Sequence, residues 1–155
     1  MENKLKCYVI TISKNFPATH PRQGEKTGFS ERIENNTKIH TIRGNYEFWK
    51  KRMNDIESGI AYLSVREWTG KPYASKQKEL FRFHADDGVG CEKLEMTALG
   101  WFIEDYDTNY SNQDFANHDG LSIIDFIDWF KGKITIDMEP MAIIHFTEFR
   151  YHKNQ

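Results

Sequence analysis

Apolar and polar positions alternate along most of this chain with the period of strands, and the run is broken at intervals by helical spacing. Leu5 to Ile12 reads as a first strand, closed by Asn15-Phe16-Pro17. The residues from Pro17 to Gly28 are rich in Pro, Gly, Thr and charge and read as a loop. Phe29 and Ile33 then recur at helical spacing in a short helix that runs into Asn35-Asn36, residues that tolerate left-handed backbone and end helices. Ile39 to Arg43 alternates again, in β-branched company. Lys38 therefore falls at the turn between helix and strand. Three residues apart on a regular strand, Lys38 and Thr41 would face opposite ways; a turn lets the lysine swing back toward the threonine.

Downstream, Tyr46, Trp49, Met53 and Ile56 mark one face of a helix from Tyr46 to Glu57. Ile60–Trp68 and Lys76–Phe83 read as strands around a Thr69-Gly70-Lys71-Pro72-Tyr73 turn, followed by Cys91–Thr97 and a continuation over Ala98–Ile103. Consecutive strands imply antiparallel hairpins. Glu104 to Asn117 reads as loop with a helical turn. Leu121 to Phe130 is a helix with Ile124, Ile127 and Phe130 spaced three apart and a Ser122-x-x-Asp125 capping pattern, and Met141 to Phe149 is a buried final strand. The expected architecture is α+β: a small, mostly antiparallel β-barrel with inserted helices.

Composition narrows the classes. At 155 residues the chain suits one domain, 1–155, large enough to bury ~70% of its unfolded surface. A formal charge of −2 excludes a protein that grips long nucleic acid through phosphates alone. Cys7 and Cys91 fit neither a disulfide framework nor a zinc pattern, which suggests a reducing, cytoplasmic setting and two buried thiols without chemistry. No apolar run approaches the ~18 residues of a membrane helix, and the six histidines lack metal-ligand spacing. Neither membrane, metal nor cofactor is expected, and a monomer is favoured.

Four Trp, seven Tyr and eleven Phe are mostly core, Trp49 and Trp129 among them, yet one group reads otherwise. Arg66, Trp68, Lys71, Tyr73, Lys76 and Lys78 interleave bases and aromatics across a strand end and turn, a lip that stacks a nucleobase and holds a phosphate. Lys38, Thr41 and Arg43 are the second group. A threonine alcohol needs an adjacent base to act as nucleophile, and a desolvated lysine supplies one; the guanidinium would stabilise a developing oxyanion.

Lys38-x-x-Thr41-x-Arg43 after a short helix resembles the Gly-x-Lys-x-x-Thr-x-Arg signature of ASCH domains, a branch of the PUA-like barrels, with Asn36 where that family usually has glycine. Asp119-Gly120-Leu121-Ser122, the following helix and the Ile143–Phe146 strand extend the resemblance to most of the chain, leaving 44–58 and 69–90 as elaborations. The resemblance implies removal of an acyl group from a modified base such as N4-acetylcytidine, with Lys38, Thr41 and Asp119 catalytic. Asp119 stands where the family has glutamate. Arg43, Arg66, Trp68, Lys71, Tyr73 and His118 would then contact a nucleoside or RNA. The alternatives are a non-catalytic RNA-binding module and a protein-interaction barrel.

Overall fold

A computed structural model describes residues 4–97, 100–103, 110–133 and 139–152. Strand β1 (Lys6–Thr11) leads through a long connection to helix α1 (Phe29–Glu34), strand β2 (His40–Arg43) and helix α2 (Tyr46–Glu57). Strands β3 (Ala61–Trp68), β4 (Gln77–Phe83), β5 (Gly90–Thr97) and β6 (Gly100–Ile103) follow, then helices α3 (Asn112–His118) and α4 (Ile123–Phe130), and strand β7 (Met141–His145).

The strands form two open sheets. One has the order β1-β3-β4 and the other β2-β7-β5-β6. The α+β class holds; the sheets are open rather than a closed PUA-like barrel, since among the described residues no ladder joins them and each keeps two edges. The physical reason lies in β1. It pairs with β3 in parallel, Lys6 opposite Ala61 through Thr11 opposite Arg66, so the intervening α1, β2 and α2 serve as a crossover. Hairpin economy places neighbours in sequence side by side, and here it holds for β3 with β4 and β5 with β6. With β1 committed to β3, the four-residue β2 goes to the edge beside β7.

Strand β7 lies between β2 and β5 and is buried at all five positions. Such a strand reads as a continuous apolar run because both faces are covered. Trp49, Met53 and Ile56 of α2 enter the core as their spacing requires. Helix α4 turns a different face inward from the one its isoleucines suggest: Phe126 and Phe130 are buried, whereas Ile124 and Ile127 are 70% and 45% exposed. Both spacings are helical, and the two larger phenyl rings bury more apolar area. Helix α3 replaces the expected loop over its own span, opened by a reciprocal Ser111/Asp114 capping box; residues 98–99 and 104–109 lie outside the described residues. Cys7 is exposed, against expectation, while Cys91 is buried and its thiol is pushed up to about 12 by that burial. Among the described residues no helix is long and apolar enough to cross a membrane.

Candidate functional site

The junction of α1 and β2 is the turn its asparagines predict. Asn36 adopts φ 62°, and the amides of Thr37 and Lys38 both donate to the Arg32 carbonyl at 2.8 and 2.9 Å. The chain then reaches Asp119, with which Lys38 forms an isolated antiparallel bridge, and Ile39 N donates to His118 O at 2.8 Å. Lys38 is 1% exposed. Its Nζ donates to Asp119 O at 2.7 Å and to Oδ1 at 3.1 Å, and lies 4.2 Å from the centroid of the Phe29 ring. The lysine stem runs over Gly120, whose φ is +82°; a Cβ there would meet Lys38 Cβ, Cγ and Cδ at 3.0 to 3.3 Å.

Asp119 caps the C-terminus of α3, the end where a carboxylate is disfavoured by the helix dipole. Burial pushes its pKa up, but Lys38 and His40 outweigh this and hold it below the usual carboxylate range. Burial pulls the Lys38 ammonium below its ordinary value, opposed by Asp119. His40 Nδ1 lies 3.3 Å from Asp119 Oδ1, close enough to attract yet off the line of a formed hydrogen bond. Lysine 38 and histidine 40 are two residues apart, so both reach the same carboxylate.

Thr41 and Arg43 project together from β2. Arg43 Nη1 donates to Thr41 Oγ1 at 2.8 Å and to Ile42 O at 3.1 Å, and Nη2 donates to Thr11 O. All these acceptors are uncharged, and among the described residues no carboxylate forms an ion pair with Arg43. Burial pulls its pKa down, with Asp119 and Tyr73 opposing. Lys38, Thr41, Arg43 and Asp119 line one small cavity, about 20 Å³, with Ile12, Ser13, Phe29 and Trp129. Ile12 and Ser13 also belong to the wall of a wider chamber, about 430 Å³, bounded by Phe16, Pro17, Trp68 and Tyr73. The two spaces thus form a deep polar end and an aromatic vestibule along one wall.

At the mouth, the Trp68 and Tyr73 rings stand 5.2 Å apart at 47°. Tyr73 is 89% exposed and holds φ 65°, a strained backbone for an aromatic residue. The vestibule's far wall is the 17–28 loop, which is pinned: buried His20 meets the Asp125 carbonyl at 3.1 Å, and Arg22 Nη1 donates to Asp125 Oδ2 at 2.5 Å.

The remaining predicted residues do not line these spaces. Arg66 is engaged by Ser64 Oγ at 2.9 Å, Gln77 Oε1 at 3.4 Å and the Cys7 sulfur at 3.7 Å. Lys71 is an exposed turn residue whose carbonyl accepts from Ser75, and Lys76 and Lys78 are exposed. His118 faces away from the cleft into a cluster with Tyr110, Phe149 and Tyr151. His40, Phe16 and Ser13 escape the sequence reading; for His40 the period-two relation to Lys38 was the available signal. No protein-family model, curated protein or solved structure matches this chain, and with its open sheets the resemblance to ASCH domains is not sustained, so its function rests on the cleft.

Proposed function

We propose that the protein binds a nucleoside-type ligand, a planar heteroaromatic ring bearing carbonyl and amino groups, in this cleft. One observation carries the reading. Arg43, which has no carboxylate partner among the described residues, lines a cavity that shares its Ile12/Ser13 wall with the chamber under the Trp68/Tyr73 pair. A base stacks in the vestibule, its carbonyl accepts from Arg43, and the Thr41 and Ser13 hydroxyls serve its remaining edge. The vestibule, about 430 Å³, falls within the roughly 300–1,000 Å³ that small-ligand sites have, while the polar end, about 20 Å³, takes one small polar group of the ring.

Binding is favoured over hydrolysis by the state of Lys38. Its ammonium donates to the Asp119 backbone carbonyl and to Oδ1, and no hydrogen bond joins it to Thr41 among the described residues, so a nucleophile–base pair is not assembled.

Calorimetric titration with the four common ribonucleosides, their 5′-monophosphates and N4-acetylcytidine tests the reading. Binding by at least one nucleoside or 5′-monophosphate is expected. Tyr73→Ala and Trp68→Ala should each weaken it by about five- to a hundredfold, the usual worth of a stacked base. Absence of binding by every member, or binding indifferent to both variants, overturns the proposal. Ultraviolet loss of the acetylcytidine chromophore, abolished by Thr41→Val, would replace a binding site by a catalytic one; affinity for single-stranded RNA alone would make it an RNA module.

A further inference from the structure

Behind the cleft a second set of polar side chains is buried with no part in holding a ligand. His40 and His145 are 0% exposed, as is Tyr151. Tyr151 OH lies 2.6 Å from His40 Nε2 and 2.9 Å from His118 Nδ1, so the phenol bridges the two imidazoles. The far side of His40 faces Asp119 Oδ1 at 3.3 Å. Asp119 lines the cavity, whereas His118 is only half-buried. We propose that His118, Tyr151 and His40 form a relay tying the charge at Asp119 in the cleft to a titratable group near the surface, so that ligand binding is proton-linked. This rests on the nucleoside-binding reading for its ligand, though not for the relay itself.

Donors and acceptors can be ordered from His118 through Tyr151 to His40, whose Nδ1 faces Asp119 Oδ1 across 3.3 Å. With a proton on His40 Nδ1 toward Asp119, His40 Nε2 accepts from the Tyr151 hydroxyl, whose oxygen accepts from His118 Nδ1–H. His118 Nε2 then carries the lone pair. A proton taken there is passed on without net loss: His118 gives its Nδ1 proton to the Tyr151 oxygen, and the phenol gives its own to His40 Nε2. The product is an imidazolium beside the Asp119 carboxylate. That carboxylate is then held by two cations and is a poorer acceptor for a ligand amino group.

The groups facing the relay support this direction. His40 is approached by Asp119 and Lys38, by the His145 ring at 5.6 Å from β7, and by Glu92 from β5. Glu92 is itself occupied by His145 Nε2 at 2.7 Å and by the amides of Tyr151 and His152. His118 is faced by Tyr110 and Phe149 rings, by His40 at 6.2 Å, and by Asp114 on its own helix. Burial, then His40, pulls His118 below its ordinary value, opposed by Asp114. The side-chain path from the Asp119 carboxylate to the His118 ring runs through His40 and Tyr151.

Histidine ring resonances followed by NMR across pH in the wild type, Asp119→Asn, Tyr151→Phe and the double variant test the relay without any ligand. Asp119→Asn should lower the His118 midpoint, and the shift should shrink when Tyr151 is Phe, which keeps the ring and removes the hydroxyl. Should Asp119→Asn fail to fold, His118→Gln read at the His40 resonance replaces it, with the same dependence on the hydroxyl. Using cytidine 5′-monophosphate as probe, affinity should fall with acidification by up to about tenfold per pH unit, the limit for one linked proton, and Tyr151→Phe should flatten the profile. Identical midpoints and profiles with and without the hydroxyl overturn the relay. Histidine coupling through Tyr151 in a protein that binds no nucleotide would sustain the relay and overturn the ligand reading.

Discussion

Lys38 is the residue on which the cleft depends. Its charge is carried into the interior and matched by Asp119, so its removal leaves an uncompensated buried carboxylate. Lys38→Met should destabilise the fold by ~3–5 kcal/mol in urea unfolding, and adding Asp119→Leu should recover most of that, since replacing both partners removes the orphaned charge. Gly120→Ala places a Cβ against the lysine stem at a positive φ and should cost about 1–3 kcal/mol. Tyr73 is the opposite case. Its exposed ring contributes little packing while its backbone is strained, so Tyr73→Gly should be neutral or stabilising by up to about 1 kcal/mol yet lose ligand affinity. A mutation that helps the fold and harms binding identifies strain kept for function. At this scale the sequence is legible where signals are local: Asn36 announces the turn and Lys38-x-His40 shares one side. The Lys38–Asp119 contact spans 81 residues. Without the ASCH comparison no spacing rule reaches Asp119, and that comparison does not hold.

Among elements, α4 shows how helical period alone leaves the buried face open. Phe126→Ala should cost about 3–5 kcal/mol, as large-to-small core changes do, whereas Ile124→Ala should stay within about 0.5 kcal/mol. Equal costs would mean the helix is turned the other way. The same helix fixes the 17–28 loop through Asp125. Asp125→Ala removes the Arg22 partner and should speed amide exchange across that loop and loosen the vestibule wall while leaving β7 protected. Ser122-x-x-Asp125 is only half a capping box for this reason: Ser122 Oγ accepts from the Asp125 amide at 3.1 Å, but the aspartate side chain goes to Arg22. Strand positions and the hairpins β3–β4 and β5–β6 were readable from alternation and turns; the long-range pairings of β1, β2 and β7 were not. Whether β1 takes a hairpin neighbour or crosses to β3 is a matter of which surfaces α1 and α2 cover, and alternation carries no record of that.

For the whole molecule, buried imidazoles dictate the response to acid. Burial holds His40, His118 and His145 below the ordinary 6.5, with His145 down to about 4. The unfolded chain therefore takes up protons first as pH falls through 6.5, and stability drops by about 1.4 kcal/mol per pH unit for each histidine still neutral in the fold. Asp119 and Glu92, held below their ordinary values, act in the same sense at lower pH. Stability present above pH 6.5 should thus be lost steadily toward pH 4 in denaturant melts. A flat profile would place these histidines in water. A net charge of −2 points to no partner by itself, and the sheet bearing β1 and the sheet bearing β2 meet beside the cleft through Thr11 and Arg43.

The central claim is that this cleft receives a nucleoside-type ring. Amide and indole shift mapping on addition of cytidine 5′-monophosphate, adenosine 5′-monophosphate and their nucleosides tests it most directly. With at least one of these, perturbations should centre on Ile12, Ser13, Arg43, Trp68 and Tyr73 and fade in Tyr73→Ala. Perturbations absent for all four, or gathered away from those residues, would contradict it.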